Sequence, residues 1–136
     1  MLATQVWERL FFGDRNDAEY LVKTNPVGIS TVISVCEGRV FRHSPGVNYV
    51  HIPIAEATPI TVGQFDAIID AIAENIRWGK VLVHCDRGLS RSPIMTAAWM
   101  HVVGYKNIDA ALVEIKELCR RIQPSSILLA SVKELL

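Results

Sequence analysis

The sequence predicts an α/β fold with a central, mostly parallel sheet of about four to five strands and helices on both faces. Two observations carry that prediction. Short apolar runs rich in β-branched residues, such as ISTVISV at Ile29 to Val35, alternate along the chain with stretches of helical periodicity. One stretch, VLVHCDRGLSRSP at Val81 to Pro93, reads as a buried strand, a tight loop and the start of an apolar helix. Strands separated by helices pair in parallel, because the helix is the crossover. The 136 residues suit a single domain, 1–136, with one core.

Taken in order, VWERLFF at Val6 to Phe12 alternates imperfectly and suits a first strand, followed by a turn through Gly13 to Asp17. Ala18 to Val22 fits a short helix that Asn25-Pro26 stops. Ile29 to Val35 should be a central strand. Glu37 to Gly46, polar and carrying Arg39, Arg42 and His43, is a loop. NYVHIPI at Asn48 to Ile54 is a strand nearer an edge, since Pro53 cannot donate to a ladder.

Thr61 with Gln64 three residues later forms a capping box ahead of an amphipathic helix. Its apolar face is Phe65, Ile68, Ile69, Ile72, Ala73 and Ile76. Gly79 ends that helix and Lys80 to His84 is the buried strand. The segment Ile94 to Val103 is apolar nearly all round, which places it mid-domain, and Gly104 stops it. Asn107 caps a helix with a stripe of Ala111, Leu112, Ile115, Leu118, Cys119 and Ile122. Pro124-Ser125 breaks it, and Ile127 to Leu136 supplies a last short helix.

Lys plus Arg balance Asp plus Glu at 14 each. That argues against nucleic-acid binding by counterion release. No apolar run approaches the roughly 18 residues that span a bilayer, so no membrane segment is expected. Met1 to Arg15 contains Glu8, Arg9 and Asp14 and lacks a small-residue cleavage site, so it does not read as a signal peptide. The three cysteines, Cys36, Cys85 and Cys119, are too few and scattered for a disulfide framework or zinc site. A reducing, cytoplasmic setting is the expectation.

The chemistry concentrates after the buried strand. A thiol at a helix N-terminus beside cations gives up its proton more readily than a free cysteine. Cys85 would have Arg91 within its own loop. Backbone amides of Asp86, Arg87, Gly88, Leu89, Ser90 and Arg91 can curl into an anion-binding nest, with Gly88 permitting the turn. Arg91 offers a planar fork for two phosphoryl oxygens. Ser92 can hydrogen-bond the sulfur and ease its departure. His84 is expected to be buried and to support the loop rather than shuttle protons. Asp86 and Arg87 otherwise read as solvated side chains, and Cys36 and Cys119 as packing cysteines.

These residues carry a resemblance. His84 to Ser92 is similar to the signature HCxxGxxR, followed by Ser or Thr, of the cysteine-based protein tyrosine phosphatases. The form VLVHCDRGLSRSP resembles the dual-specificity branch, a minimal core of the phosphatase-II-like fold. The likeness extends to LFFGD near the start, ISTVISV, YVHIPI before a loop and helix, and IQPSSILL near the end. It implies that Cys85 is the nucleophile, Arg91 the phosphate clamp, and a cysteinyl-phosphate the intermediate. The implied substrate is a phosphorylated protein or peptide, with phosphate- or sulfate-type anions bound in the loop. No metal or organic cofactor is implied.

The family places an aspartate, its general acid, in the loop after the strand that matches Tyr49 to Ile54. Here IPIAEATPI offers only Glu56. Glutamate can do the same proton chemistry, with its carboxyl displaced by a methylene. Asp66 and Asp70 fall on the polar side of the next helix. Ser125 is a second departure, since relatives often carry asparagine after this proline. A phosphotyrosine phosphatase, with or without activity on phosphoserine and phosphothreonine, is the expectation. The alternatives are a phosphoinositide or RNA 5′-phosphate phosphatase and a phosphate-binding module with little turnover.

Overall fold

The computed structural model describes residues 3–136. Strands β1 (Thr4–Trp7), β2 (Leu10–Gly13), β3 (Ile29–Ser34), β4 (Asn48–His51) and β5 (Lys80–His84) form one sheet in the order β1-β2-β5-β3-β4. The pairs β2–β5, β5–β3 and β3–β4 are parallel, and β1–β2 is antiparallel. The mostly parallel α/β architecture is therefore the one the alternation of elements implied.

The single first strand expected over Val6 to Phe12 is two strands. Consecutive charged residues, Glu8 and Arg9, break its alternation and make a hairpin turn, with Arg9 at φ 56°. Arg9 is held there from both sides. Its Nε donates to the Ile76 carbonyl at 2.9 Å, and its own carbonyl accepts from Val81 N at 2.8 Å.

The helices are α1 (Arg15–Glu19), α2 (Val62–Ile76), α3 (Arg91–Val102), α4 (Ile108–Leu118) and α5 (Ser126–Glu134), with a 3₁₀ turn at Tyr20–Val22. The first begins earlier than Ala18 because Asp14 caps it. Asp14 accepts from Asp17 N at 2.8 Å, and Asp17 accepts from Asp14 N at 2.9 Å. The Thr61–Gln64 box is present, with its two bonds at 3.0 and 2.9 Å. Asn107 caps α4 through Ala110 N at 3.0 Å. Ile122 lies beyond that helix, which ends when Cys119 turns extended, but it is still buried in the core.

Coverage of the two faces is unequal. Leu10, Phe12, Ile33, Val81 and Val83 share a core with residues of α2, α3, α4 and α5. Phe11, Val32 and Leu82 face the other way, under Ala18, Leu21 and Val40. Val81, Leu82 and Val83 are wholly buried; burial of each contributes about 1.5–3 kcal/mol. This explains why β5 reads as an unbroken apolar run and not an alternating one. Helix α3 is buried on every side from Arg91 to Met100. Its Trp99 meets Trp7 edge to face, with centroids 6.0 Å apart.

The register fixes where the chain leaves the sheet. His84, the last residue of β5, stands opposite Gly13 of β2 on one side and Ser34 of β3 on the other. In parallel sheets, sites form at the carboxyl ends of strands where the connections diverge. Here the chain passes from β5 into α3 at that place.

Candidate active site

His84 anchors the strand end. Its ring is fully buried, with Nε2 2.6 Å from Ser34 Oγ and Nδ1 3.1 Å from the Cys85 carbonyl. Burial lowers its pKa to about 4, so the ring is neutral at pH 7 with one proton. A carbonyl only accepts, so that proton sits on Nδ1, and the Ser34 hydroxyl donates to Nε2. The ring is committed to two bonds that hold the loop's first peptide.

Cys85 follows, 2% exposed. Its sulfur lies 3.3 Å from Ser92 Oγ and accepts from Ser92 N at 3.5 Å. The Ser92 hydroxyl also reaches the Gly13 carbonyl at 3.1 Å. Ser92 is in the first turn of α3, so the thiol sits under the positive end of a buried helix.

Between Cys85 and Ser92 the chain bends through Asp86, Arg87, Gly88, Leu89 and Ser90. Gly88 has φ +69°, and a Cβ there would come within 3.1–3.2 Å of the Gly13–Asp14 backbone. The loop is also tied on both flanks. Arg15 N donates to the Asp86 carbonyl at 3.1 Å and Cys85 N to the Gly13 carbonyl at 3.4 Å. On the far side Gln123 N donates to the Leu89 carbonyl at 2.7 Å, and Ser125 N to Ser90 Oγ at 2.8 Å. Residue 125 supports the loop through its main chain, while its side chain caps α5 at Leu128 N. A serine there leaves the support in place.

Arg91 is 4% exposed. Its Nη1 donates to the Ile54 carbonyl at 2.9 Å, and its Nη2 pairs with Asp86 Oδ2 at 3.3 Å. The other oxygen of Asp86 is 3.0 Å from Arg15. Asp86 is therefore not a merely solvated loop residue, because it bridges two guanidinium groups. Burial pushes its pKa up, but the bond from Arg15 and the charges of Arg15 and Arg91 outweigh that, and the net displacement is downward. Arg87 is exposed.

Glu56 is exposed in the turn after β4, beside Ala57 at φ 50°. Among the described residues, no hydrogen bond joins its carboxyl to Cys85 or Arg91. The connection runs through the backbone, since Ile54, two residues earlier, is the carbonyl that Arg91 grips.

Sequence reasoning missed Arg15 and Ser34. Ser34 carried a signal, being a polar residue between the apolar Ile33 and Val35. Arg15 carried none, because its role depends on β2 lying beside β5. Its Nη1 donates to the Arg39 carbonyl at 2.6 Å and its Nη2 to the Gly38 carbonyl at 3.0 Å. The loop from Glu37 to Gly46 is held further by Arg42 N on Glu19 and by His43 stacked on Tyr49 at 3.9 Å. Cys36 is buried, and burial together with the Asp86 charge pushes its thiol up. Cys119 sits at the end of α4.

A thiol and a guanidinium gathered by a strand–loop–helix at the carboxyl end of a parallel sheet define the class, the cysteine-based tyrosine phosphatase superfamily. Residues 10–135 match the model of the dual specificity phosphatase catalytic domain, and the chain belongs to that family. Among curated relatives, human dual specificity protein phosphatase 26 is 25% identical over 124 residues, covering 85% of this chain. The match spans 58% of that relative's length. Among solved structures, that of DUSP15 has a TM-score of 0.86 at 26% identity, covering 98% of this chain and 86% of its own. A mouse putative dual specificity phosphatase complexed with zinc tungstate has a TM-score of 0.85 at 21% identity, covering 97% and 84%.

Proposed function

We propose that this protein is a cysteine-dependent phosphatase of phosphoprotein substrates. The observation that carries the reading is the meeting of Cys85, Ser92 and Arg91 at the first turn of a buried helix. Sulfur and hydroxyl are in contact there, and the guanidinium of the residue before Ser92 is anchored on Ile54 and Asp86. The amides of residues 86–91 find no protein acceptor among the described residues. Unpaired amides in a bent loop suit an anion with several oxygens. The zinc tungstate complex of the mouse relative supports the same reading, tungstate being a tetrahedral oxyanion.

In this mechanism the Cys85 thiolate attacks the phosphorus in line while Arg91 and the loop amides neutralise the oxygens. The ester P–O bond breaks, and Glu56 gives its proton to the departing oxygen. A cysteinyl-phosphate remains. Glu56, now a carboxylate, activates a water that attacks the phosphorus, and the sulfur leaves with the Ser92 hydroxyl donating to it. Inorganic phosphate and the free enzyme result. No step requires a metal.

The exposed position of Glu56 favours one second reading, a phosphate-binding module with slow turnover. Hydrolysis rates on phosphotyrosine, phosphothreonine and phosphoinositide substrates, measured beside tungstate affinity, separate these readings. The phosphatase reading expects hydrolysis of phosphotyrosine peptides, with phosphothreonine slower. Tungstate binding without hydrolysis of any substrate would leave the binding module. Preference for the phosphoinositide would move the substrate class from protein to lipid.

A further inference from the structure

The carboxylate of Asp86 lies inside a loop suited to anions, where a negative charge should obstruct the ligand. Its surroundings resolve the conflict. Oδ1 receives Arg15 at 3.0 Å and Oδ2 faces Arg91 Nη2 at 3.3 Å. Arg15 is itself fixed by the Gly38 and Arg39 carbonyls and by its own amide on the Asp86 carbonyl. It cannot swing away without releasing several bonds. Arg91 is planar, so fixing Nη1 on Ile54 and Nη2 on Asp86 sets the plane of its fork. Two of the five guanidinium N–H groups are used in this way, and the rest remain for an oxyanion.

We propose that Asp86 is a positioning residue that orients Arg91, and that Arg15 is the counter-charge that keeps Asp86 from competing with the phosphoryl group. The proposal rests on the phosphatase reading of Cys85 and Arg91. With all three charges present, two guanidinium groups face one carboxylate, and the loop keeps a net positive charge. Without Arg15, the carboxylate is unopposed and turns both oxygens to Arg91, against the incoming dianion. Without Asp86, the positive charge rises but the fork loses one of its two anchors. The two deletions therefore have different kinetic signatures, and the second should repair part of the first.

The test compares wild type, Arg15→Ala, Asp86→Ala and the double variant, by steady-state hydrolysis of para-nitrophenyl phosphate and by calorimetric binding of tungstate. Arg15→Ala should weaken tungstate and raise KM by about tenfold, between the effects of losing a partner from an exposed and from a buried charge pair. Asp86→Ala should lower kcat by about tenfold through misorientation while KM stays level or falls. In the double variant, tungstate affinity should return to within about threefold of wild type, because the obstructing charge has gone with its counter-charge. If Arg15 only braces the 38–40 segment, the double variant will bind tungstate no better than Arg15→Ala, and the proposal is overturned. If either alanine variant fails to fold, Arg15→Gln with Asp86→Asn poses the same question with smaller changes of shape. Rescue of tungstate binding in the double variant, with no hydrolysis by wild type, would keep the counter-charge role of Arg15 and remove the phosphatase reading. Hydrolysis without rescue would do the reverse.

Discussion

Ser92 Oγ stands 3.3 Å from Cys85 Sγ, with the Gly13 carbonyl 3.1 Å from the same hydroxyl. A serine has one proton to give, so the two partners compete for it. When sulfur carries a proton, it donates to Ser92, which donates to Gly13. When sulfur is a thiolate, the hydroxyl turns to it, and Ser92 N–H adds a second bond at 3.5 Å. In the proposed mechanism the pair holds the charge that returns to sulfur when phosphate departs. Ser92→Ala should therefore slow the step in which sulfur leaves by roughly a hundredfold, the lower end of the range for lost transition-state donors. Rapid-quench kinetics should show a burst of phenol followed by a slow steady state. A lowered burst with an unchanged steady-state rate would assign Ser92 to the attack step instead.

Glu56, as the proposed acid, acts on the leaving group. Protonation matters most when the departing oxygen is basic, so Glu56→Gln should slow phenyl phosphate by about a hundredfold and para-nitrophenyl phosphate by much less. Arg91 holds the Ile54 carbonyl, two residues before Glu56, so Arg91 and the segment that carries Glu56 are joined through the backbone. Equal losses on both esters would remove Glu56 from proton transfer.

Asp17 gives a prediction about stability. Burial raises its carboxyl from 3.8 to about 6, opposed by the backbone bond from Asp14 and reinforced by the Asp14 charge. A pKa raised on folding means the native state holds the proton more tightly. Its stabilising contribution is full below 3.8 and is lost as pH rises to about 6. At neutral pH the buried carboxylate therefore costs stability, up to roughly 3 kcal/mol. Asp17→Asn can still accept from Asp14 N and should raise the denaturant midpoint at pH 7.5, with the gain vanishing near pH 4. His84 works in the opposite sense. Its lowered pKa means stability is lost as pH falls from 6.5 towards 4, so wild type should show a flattened acid profile and Asp17→Asn a steeper one. A gain that persists unchanged to pH 4 would contradict the assignment.

Gly88 has two independent reasons to be glycine, φ +69° and the nearby Gly13–Asp14 backbone. Gly88→Ala should cost about 1–3 kcal/mol of strain and unseat the loop. Urea unfolding should show the stability loss, and tungstate affinity should fall with it. Native stability and affinity in Gly88→Ala would mean the loop is softer than its contacts indicate.

Much of this was legible because local signals agreed with tertiary ones. The Thr61–Gln64 box, the Asn107 cap and the unbroken Val81–Val83 run each point to one element, and each is where it was expected. Two local readings failed for stated reasons. Asp14 and Asp17 cap each other with two carboxylates, a pattern that resembles an acidic turn more than a helix start. Glu8-Arg9 became a hairpin only because Ile76 and Val81 hold Arg9 in an unusual conformation. Within the site, Cys85, Gly88, Arg91 and Ser92 lie in one contiguous stretch and could be read together. Arg15 begins α1 and Ser34 ends β3, and only the sheet order brings them to the loop.

The proposed mechanism stands on Cys85 Sγ as the attacking atom. The direct measurement is hydrolysis of an aryl phosphate at neutral pH by wild type and Cys85→Ser, with tungstate binding to each measured as a check on the cradle. Wild type should turn over the ester, and Cys85→Ser should fall to background while still binding tungstate. Turnover retained in Cys85→Ser, or absent from a wild type that binds tungstate, would contradict it.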